Sequence, residues 1–303
     1  MVRRHEILFL YDVTDANPNG DPARENMPRY DPDTETVFVS DVRIKRTIRD
    51  CLERSGERIF VTSEFVGKVL EPYKRGEREI DRKKLLEDFI DLRLFGQVIA
   101  YKEQGKKGET NFGHIHGPVQ FRFGRSLNRT KPECHKLSSK QPRAEDEATG
   151  KLGEKWTVPY AIIGTYGIVN EAVAKETGLS EEDVKKMINC LWKGTEQLQS
   201  ASKAVHRQIL LVDVVWKEGR ERLIGNLDEY VRLKKDGKDI TLNGEHGEEG
   251  KQIRGLHEIV IDITDLVNVL EKYRSDIDEI YIRVHPEAEG RIAGLEELRK
   301  LAG

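Results

Sequence analysis

The chain has 303 residues, with 51 Lys plus Arg against 54 Asp plus Glu, a formal net charge of −3. That balance excludes a uniformly basic nucleic-acid coat but not a local basic groove. With 35% charged and 37% apolar residues, it predicts one elaborated domain or about two under a densely charged surface, and no apolar run reaches the ~18 residues of a transmembrane helix.

Residues 7–11 are a short apolar run after a basic start and read as a central strand buried on both faces. The run enters Asp12 and Asp15 without a small-residue cleavage site, so a signal peptide is not expected. Residues 15–33 are rich in Asn, Pro, Gly and Asp, a loop of functional length. Ser40 is the expected N-cap of a helix whose Ile44, Ile48, Cys51 and Leu52 form one apolar stripe. Arg43, Arg46 and Arg49 fall on the other side, with Lys45 on the flank, and predict a solvent-facing cationic row. Residues 55–84 are charged and weakly patterned. A helix carrying Leu85, Leu86, Phe89, Ile90 and Leu94 follows, ending near Gly96, and 101–113 reads as a Lys- and Gly-rich loop.

Val119, Phe121 and Phe123 alternate with Gln120 and Arg122, so this is a strand with one polar face. Residues 125–155 are an exposed excursion with little apolar content, and 121–143 hold seven basic residues and one acidic. Trp156 and Phe123 at its ends are expected to anchor in the core, base stacking being the other reading. Residues 160–169 read as a strand. Ser180 and Asp183 make a capping box before a helix bearing Val184, Met187, Ile188 and Leu191. The bend 200–207 leads into a buried strand at 209–216, 243–250 is an acidic loop, and 258–285 reads as strand, helix, strand. Without the excursions the order is β-α-β-β-α-β, an α+β chain with a ferredoxin-like core.

Chemistry is sparse. DANPNGDPAREN approaches a calcium loop, but Asn26 stands where the bidentate Glu belongs. His114, His116, His135 and Cys134 complete no zinc spacing. Cys51, Cys134 and Cys190 are odd in number, far apart and without CxxC, so neither a disulfide framework nor a zinc ribbon is expected, and a reducing cytoplasm fits. Phosphate-loop, nucleophile-elbow, zincin and dinucleotide motifs are absent. The expectation is a binding protein with no cofactor, no metal and no catalytic residue. Its Arg row offers guanidinium forks to phosphates.

NPNGDPARENMPRYDPDTETVFVSDVRIKRTIRD, DLRLFG, GPVQFRFGRSLNR with PYAIIGTYGIVNE, and TGLSEEDVKKMINCLWKGT occur in this order to about residue 195. Together they resemble, across most of the chain to about residue 235, the repeated guide-RNA-binding backbone subunit of Cascade, the type I CRISPR effector, most like type I-B, within the RAMP superfamily. The resemblance implies a modified RRM-like palm (1–54, 114–124 and 159–235), inserted helical fingers (55–113) and a thumb hairpin (125–158); the strand-helix-strand pattern adds a C-terminal extension of the palm (236–303). It implies a non-catalytic cytoplasmic protein of antiviral defence that polymerises as a helical filament along CRISPR RNA. The partners would be further copies, other Cascade subunits and, through the guide, target DNA, with no membrane. By family position Ser40, Arg43, Lys45, Arg46 and Arg49 would hold guide phosphates and Lys203, His206 and Arg207 would form a second contact; Asn19 and Arg24, in the loop before the helix, are also expected to bind RNA. Arg125, Arg129 and Lys131 are assigned to the thumb by charge alone. The rival is a metal-dependent endoribonuclease subunit of type III-like complexes, for which Asp21, Asp31 and Asp33 would supply carboxylates.

Overall fold

The apolar run after Arg4 becomes β1 (His5–Ala16), the middle strand of the main sheet in a computed structural model that describes residues 1–76, 79–101, 110–139, 151–198, 206–220 and 223–303. The other elements that position the site are β2 (Thr36–Val39), α1 (Asp41–Arg54), α2 (Arg82–Asp88) and α3 (Ile90–Phe95). A hairpin of β3 (Gly96–Tyr101) and β4 (Thr110–His116) follows, then β5 (Val119–Phe121) and β6 (Gly124–Ser126). Next come β7 (Glu133–Ser139), the long β8 (Lys151–Val169), α4 (Glu181–Glu196) and β9 (His206–Trp216). The C-terminal part contains β10 (Arg232–Lys235), β11 (Val260–Asp262), α5 (Thr264–Lys272), β12 (Ile277–Val284), β13 (Ile292–Ala293) and α6 (Leu295–Ala302).

The main sheet runs β12-β9-β1-β8-β6-β2 and ends on Tyr30–Asp31, with every neighbour antiparallel. Strands β5 and β7 also pair with β8. Alternation along β1 sends Ile7, Phe9, Tyr11 and Val13 to one face, where they meet Ile44 and Ile48 of α1 and Met187 and Leu191 of α4. Leu8 and Leu10 go to the other, joining Tyr160 of β8 and Leu233, Ile261, Leu266 and Leu298 of the C-terminal part. There β10, β11, β13 and Lys238–Asp239 form a four-stranded sheet of their own. Both faces of β1 are therefore covered, as its unbroken apolar run demands. A ligand must use a sheet edge, a helix face or the loops.

A third core gathers Phe60, Leu70, Tyr73, Leu85, Phe89, Leu92, Ile99 and Phe112. Here two expectations are corrected. The single helix expected over 85–94 is two, because Phe89 takes φ −122°, ψ 112° and turns onto Phe60 and Tyr73 at 5.5 and 5.7 Å. The loop expected at 101–113 ends in a strand, since Thr110 pairs with Tyr101; residues 102–109 lie outside the described set.

Ser40 caps α1 by accepting from Arg43 N, and Ser180 and Asp183 form the expected capping box at α4. These two helices approach closely. A Cβ on Gly194 would lie 2.8 Å from Thr47 O, so only glycine admits the contact. At the same crossing Cys51 and Cys190 are joined as a disulfide, with Cα atoms 5.4 Å apart. The expectation of no disulfide is corrected: the fold brings together cysteines 139 positions apart, which spacing could not reveal. No helix among the described residues is long and apolar enough to cross a membrane.

Candidate nucleic-acid interface

The register of β1 gathers several predicted residues at one end of the sheet. Ala16 stands opposite Val158, and Val13 opposite His206, so the loop after β1, the root of the β7–β8 hairpin and the start of β9 meet there. The loop is tied to α1 by Asn19, whose Oδ1 accepts from Ser40 N at 2.9 Å and from Ser40 Oγ at 3.0 Å. Asn17 Nδ2 donates to Asn26 O at 2.7 Å and closes the turn. Glu25 and Asn26 take positive φ, which explains part of the turn-rich composition. Asn19 is thus placed to position the helix start.

The four predicted cations of α1, Arg43, Lys45, Arg46 and Arg49, do not form one solvent-facing row. Arg49 is 6% exposed, and its Nε donates to Asp91 Oδ2 at 2.8 Å. Asp91 also accepts from Phe60 N at 2.7 Å and Val61 N at 3.2 Å, so this carboxylate clamps the 58–61 segment onto α1. The expected exposure of Arg49 is corrected, because it lies on the flank packed under Phe95, 5.0 Å from the ring centroid. Lys45 lies on the same flank, with its side chain 12% exposed and its ammonium bonded to Asp41 and Gln120. Arg46 is 40% exposed, paired with Asp50 at 2.7 Å and bonded to Val61 O.

Arg43 differs from all three. Its Nε is buried without a hydrogen-bond partner, and among the described residues its guanidinium makes no ion pair. Burial pulls its pKa down, opposed by Tyr11 and Asp50. A cation near a helix N-terminus is further disfavoured by the helix dipole. Arg43 lines a water-sized crevice of about 20 Å³ with Tyr11, Pro18, Thr47, Thr195 and His206. Two predicted site residues 163 positions apart, Arg43 and His206, therefore share one crevice.

The remaining candidates are scattered. Arg207 is bonded to Asp12 at 2.6 Å and Glu287 at 2.7 Å, and Tyr160 donates to the same Asp12. Lys203 lies outside the described residues. At the hairpin root, Glu35 collects Lys131 at 2.6 Å, Arg129 at 3.5 Å and Lys251. Bonds from Lys131 and Lys251 hold its carboxyl down at about 2. Arg129 also reaches Glu248 at 3.3 Å. Arg24 is exposed, and Arg125 is exposed with Asp31 3.6 Å away.

Two of the three carboxylates of the rival reading, those of Asp21 and Asp31, are engaged locally. Asp21 accepts from Ala23 N, and Asp31 accepts from Asp33 N. His114 and His116 lie ring to ring at 3.7 Å, whereas His135 is bonded to Thr157. Among the described residues no three His, Cys, Asp or Glu side chains group to hold a metal ion. Sequence reasoning missed Asp91, Phe95 and Tyr11. A buried carboxylate in DLRLFG was the available signal for Asp91.

The family model for CRISPR-associated protein Cas7 matches residues 3–264. The CRISPR-associated protein Cas7 of Haloferax volcanii is 29% identical over 308 residues, covering 93% of this chain and 86% of that protein. Two solved chains share the fold. One, from a CRISPR RNA-guided surveillance complex, is 14% identical with a TM-score of 0.51 and covers 99% of this chain and 98% of its own. The other, from a CRISPR RNA-guided surveillance complex in a pre-nicking state, is 13% identical with a TM-score of 0.54, covering 99% of each.

Proposed function

The chain belongs to the Cas7 family of CRISPR-associated proteins, and from that premise we propose that it is a CRISPR RNA-binding backbone subunit of a type I effector complex, acting by binding and not by catalysis. The observation that carries this reading is Arg43. Arg43 is half-buried, with its Nε buried and unpartnered and its guanidinium in no ion pair among the described residues, and a bound anion would satisfy it. RNA phosphates fit that need, with the start of α1 adding free N–H groups.

In this reading Arg43 and Arg46 contact phosphate directly, and Ser40 and Asn19 set the start of the helix. Lys45 and Arg49 position α1 against Phe95 and Asp91. His206, Arg207 and Lys203 supply a second contact, and Arg24, Arg125, Arg129 and Lys131 extend the basic surface toward the hairpin. The β1-α1-β6-β8-α4-β9 order, with β9-β1-β8-β6 side by side, supports reading this part as a modified RRM-like palm. The third core supports fingers near 55–113, the β7–β8 hairpin a thumb near 125–158, and the strands after 236 an extension. Sequence would be read by base pairing of the guide with target DNA, the protein recognising backbone shape. Further copies and other effector subunits complete the filament.

The test is a titration of the purified protein with a repeat-plus-spacer CRISPR RNA and a scrambled RNA of equal length, at two salt concentrations with magnesium. Tight, salt-sensitive binding of both intact RNAs is expected. Cut RNA would replace this reading with the ribonuclease, and no binding by the folded protein would overturn it.

A further inference from the structure

The strand run VQFRF breaks its own pattern. Alternation predicts Phe123 inside with Val119 and Phe121, yet Phe123 is 47% exposed. The register supplies the cause. Phe121 stands opposite Gly167 and Arg125 opposite Gly164, so four steps on one side match three on β8. One extra residue is bulged out between β5 and β6, and it inverts the alternation. The expectation of a simple strand with Phe123 in the core is corrected.

The inverted Phe123 meets another outward ring. Phe38 points away from the core because Val37 and Val39 on either side of it are buried. The two rings lie parallel, 2° apart in plane, with centroids at 5.9 Å. The Arg125 guanidinium sits 5.5 Å from the Phe38 centroid. Beside Phe38 a crevice of 130 Å³ is lined by Arg24, Arg29 and Tyr30 among others. The acids nearby hold these cations loosely, with Arg29–Asp21 and Arg125–Asp31 both at 3.6 Å, longer than a charge-assisted hydrogen bond. Phe38 is two residues before Ser40, so this surface borders the start of α1.

We propose that Phe123 and Phe38 form a stacking platform for one nucleobase of the bound RNA, with Arg24, Arg29 and Arg125 drawing its flanking phosphates. The proposal rests on the RNA-binding reading above. A flat apolar face rimmed by three guanidinium groups matches a base, which is flat and apolar in its plane and carries anionic neighbours. The stacking is sequence-tolerant, because every base has a π face.

The test uses the full chain as wild type, Phe123→Ala and Phe123→Trp. Each is titrated with fluorescein-labelled single-stranded RNA, and with the same RNA carrying 2-aminopurine at successive positions. Anisotropy reads affinity and 2-aminopurine quenching reads stacking. The wild type should quench at some positions. Phe123→Ala should lose that quenching and bind roughly 5- to 150-fold more weakly, whereas Phe123→Trp should retain both. Tight RNA binding by the wild type with no quenching at any position overturns the platform and leaves the RNA reading intact. No RNA binding by the folded wild type overturns the RNA reading itself. Normal binding and quenching in Phe123→Ala, with loss of self-association, assigns the face to a second copy of the chain and overturns the platform.

Discussion

Replacing Arg43 by leucine separates what the fold needs from what the ligand needs. Arg43 sits two residues inside the start of α1, with its Nε buried and without a partner, against Tyr11 and Thr47. In the free protein it bears a desolvation cost and an unfavourable helix-dipole term, the latter about 0.3–1 kcal/mol. Replacing even a buried ion pair by well-packed apolar groups is often neutral or stabilising, by up to about 4 kcal/mol, and half-buried Arg43 has no pair to lose. Arg43→Leu should therefore raise the melting temperature, by about 2–4 °C for each kcal/mol gained at this chain length. RNA affinity should move the other way. A hydrogen bond to a charged group contributes about 1.5–3 kcal/mol, so Kd should rise roughly 10- to 150-fold. Losing one phosphate contact should also make the plot of log affinity against log salt shallower by about 0.7. Differential scanning fluorimetry and anisotropy titrations at several salt concentrations measure all three. A variant that melts lower and binds RNA as the wild type does would refute the reasoning, because Arg43 would then be a structural strut.

Asp91→Ala should act oppositely. It leaves Arg49 buried without its carboxylate and frees Phe60 N and Val61 N, so a loss of about 3–5 kcal/mol in chemical denaturation is expected; an unchanged midpoint would show that the clamp carries little weight. For His5, burial lowers the pKa, but Asp213 and Glu181 outweigh it and hold the imidazolium up to about 9. A folded pKa above the unfolded 6.5 gives stability that is fully present below pH 6.5 and is lost as pH rises to about 9, on the order of 3 kcal/mol in all. His5→Gln should flatten that part of the melting-temperature profile, and an equally steep profile would exclude His5 as its source. Reducing the Cys51–Cys190 bond releases a 139-residue loop, for which chain entropy sets an upper bound of about 5 kcal/mol. The melting temperature should fall on adding dithiothreitol to the wild type but not to a Cys51→Ala, Cys190→Ala variant.

Local physics was legible in the sequence wherever one element suffices. The unbroken apolar run of β1, the Ser40 cap, the Ser180–Asp183 box and the apolar stripe of α1 follow from periodicity and capping chemistry, and the structure shows each of them. The NPNGDP loop with the IKRTIR helix also pointed to the family. Which arginine is available was not legible. Arg43, Arg46 and Arg49 share a spacing, but one flank of α1 is covered by α3, so Asp91 and Phe95 take Arg49 and leave Arg43 alone beside Tyr11. The break at Phe89, the Cys51–Cys190 bond and the outward turn of Phe123 have the same origin. Each depends on a partner 16 to 139 positions away, or on a one-residue slip in register. A helix or strand period states which side chains share a face. Only packing decides which face meets protein and which is left for a ligand.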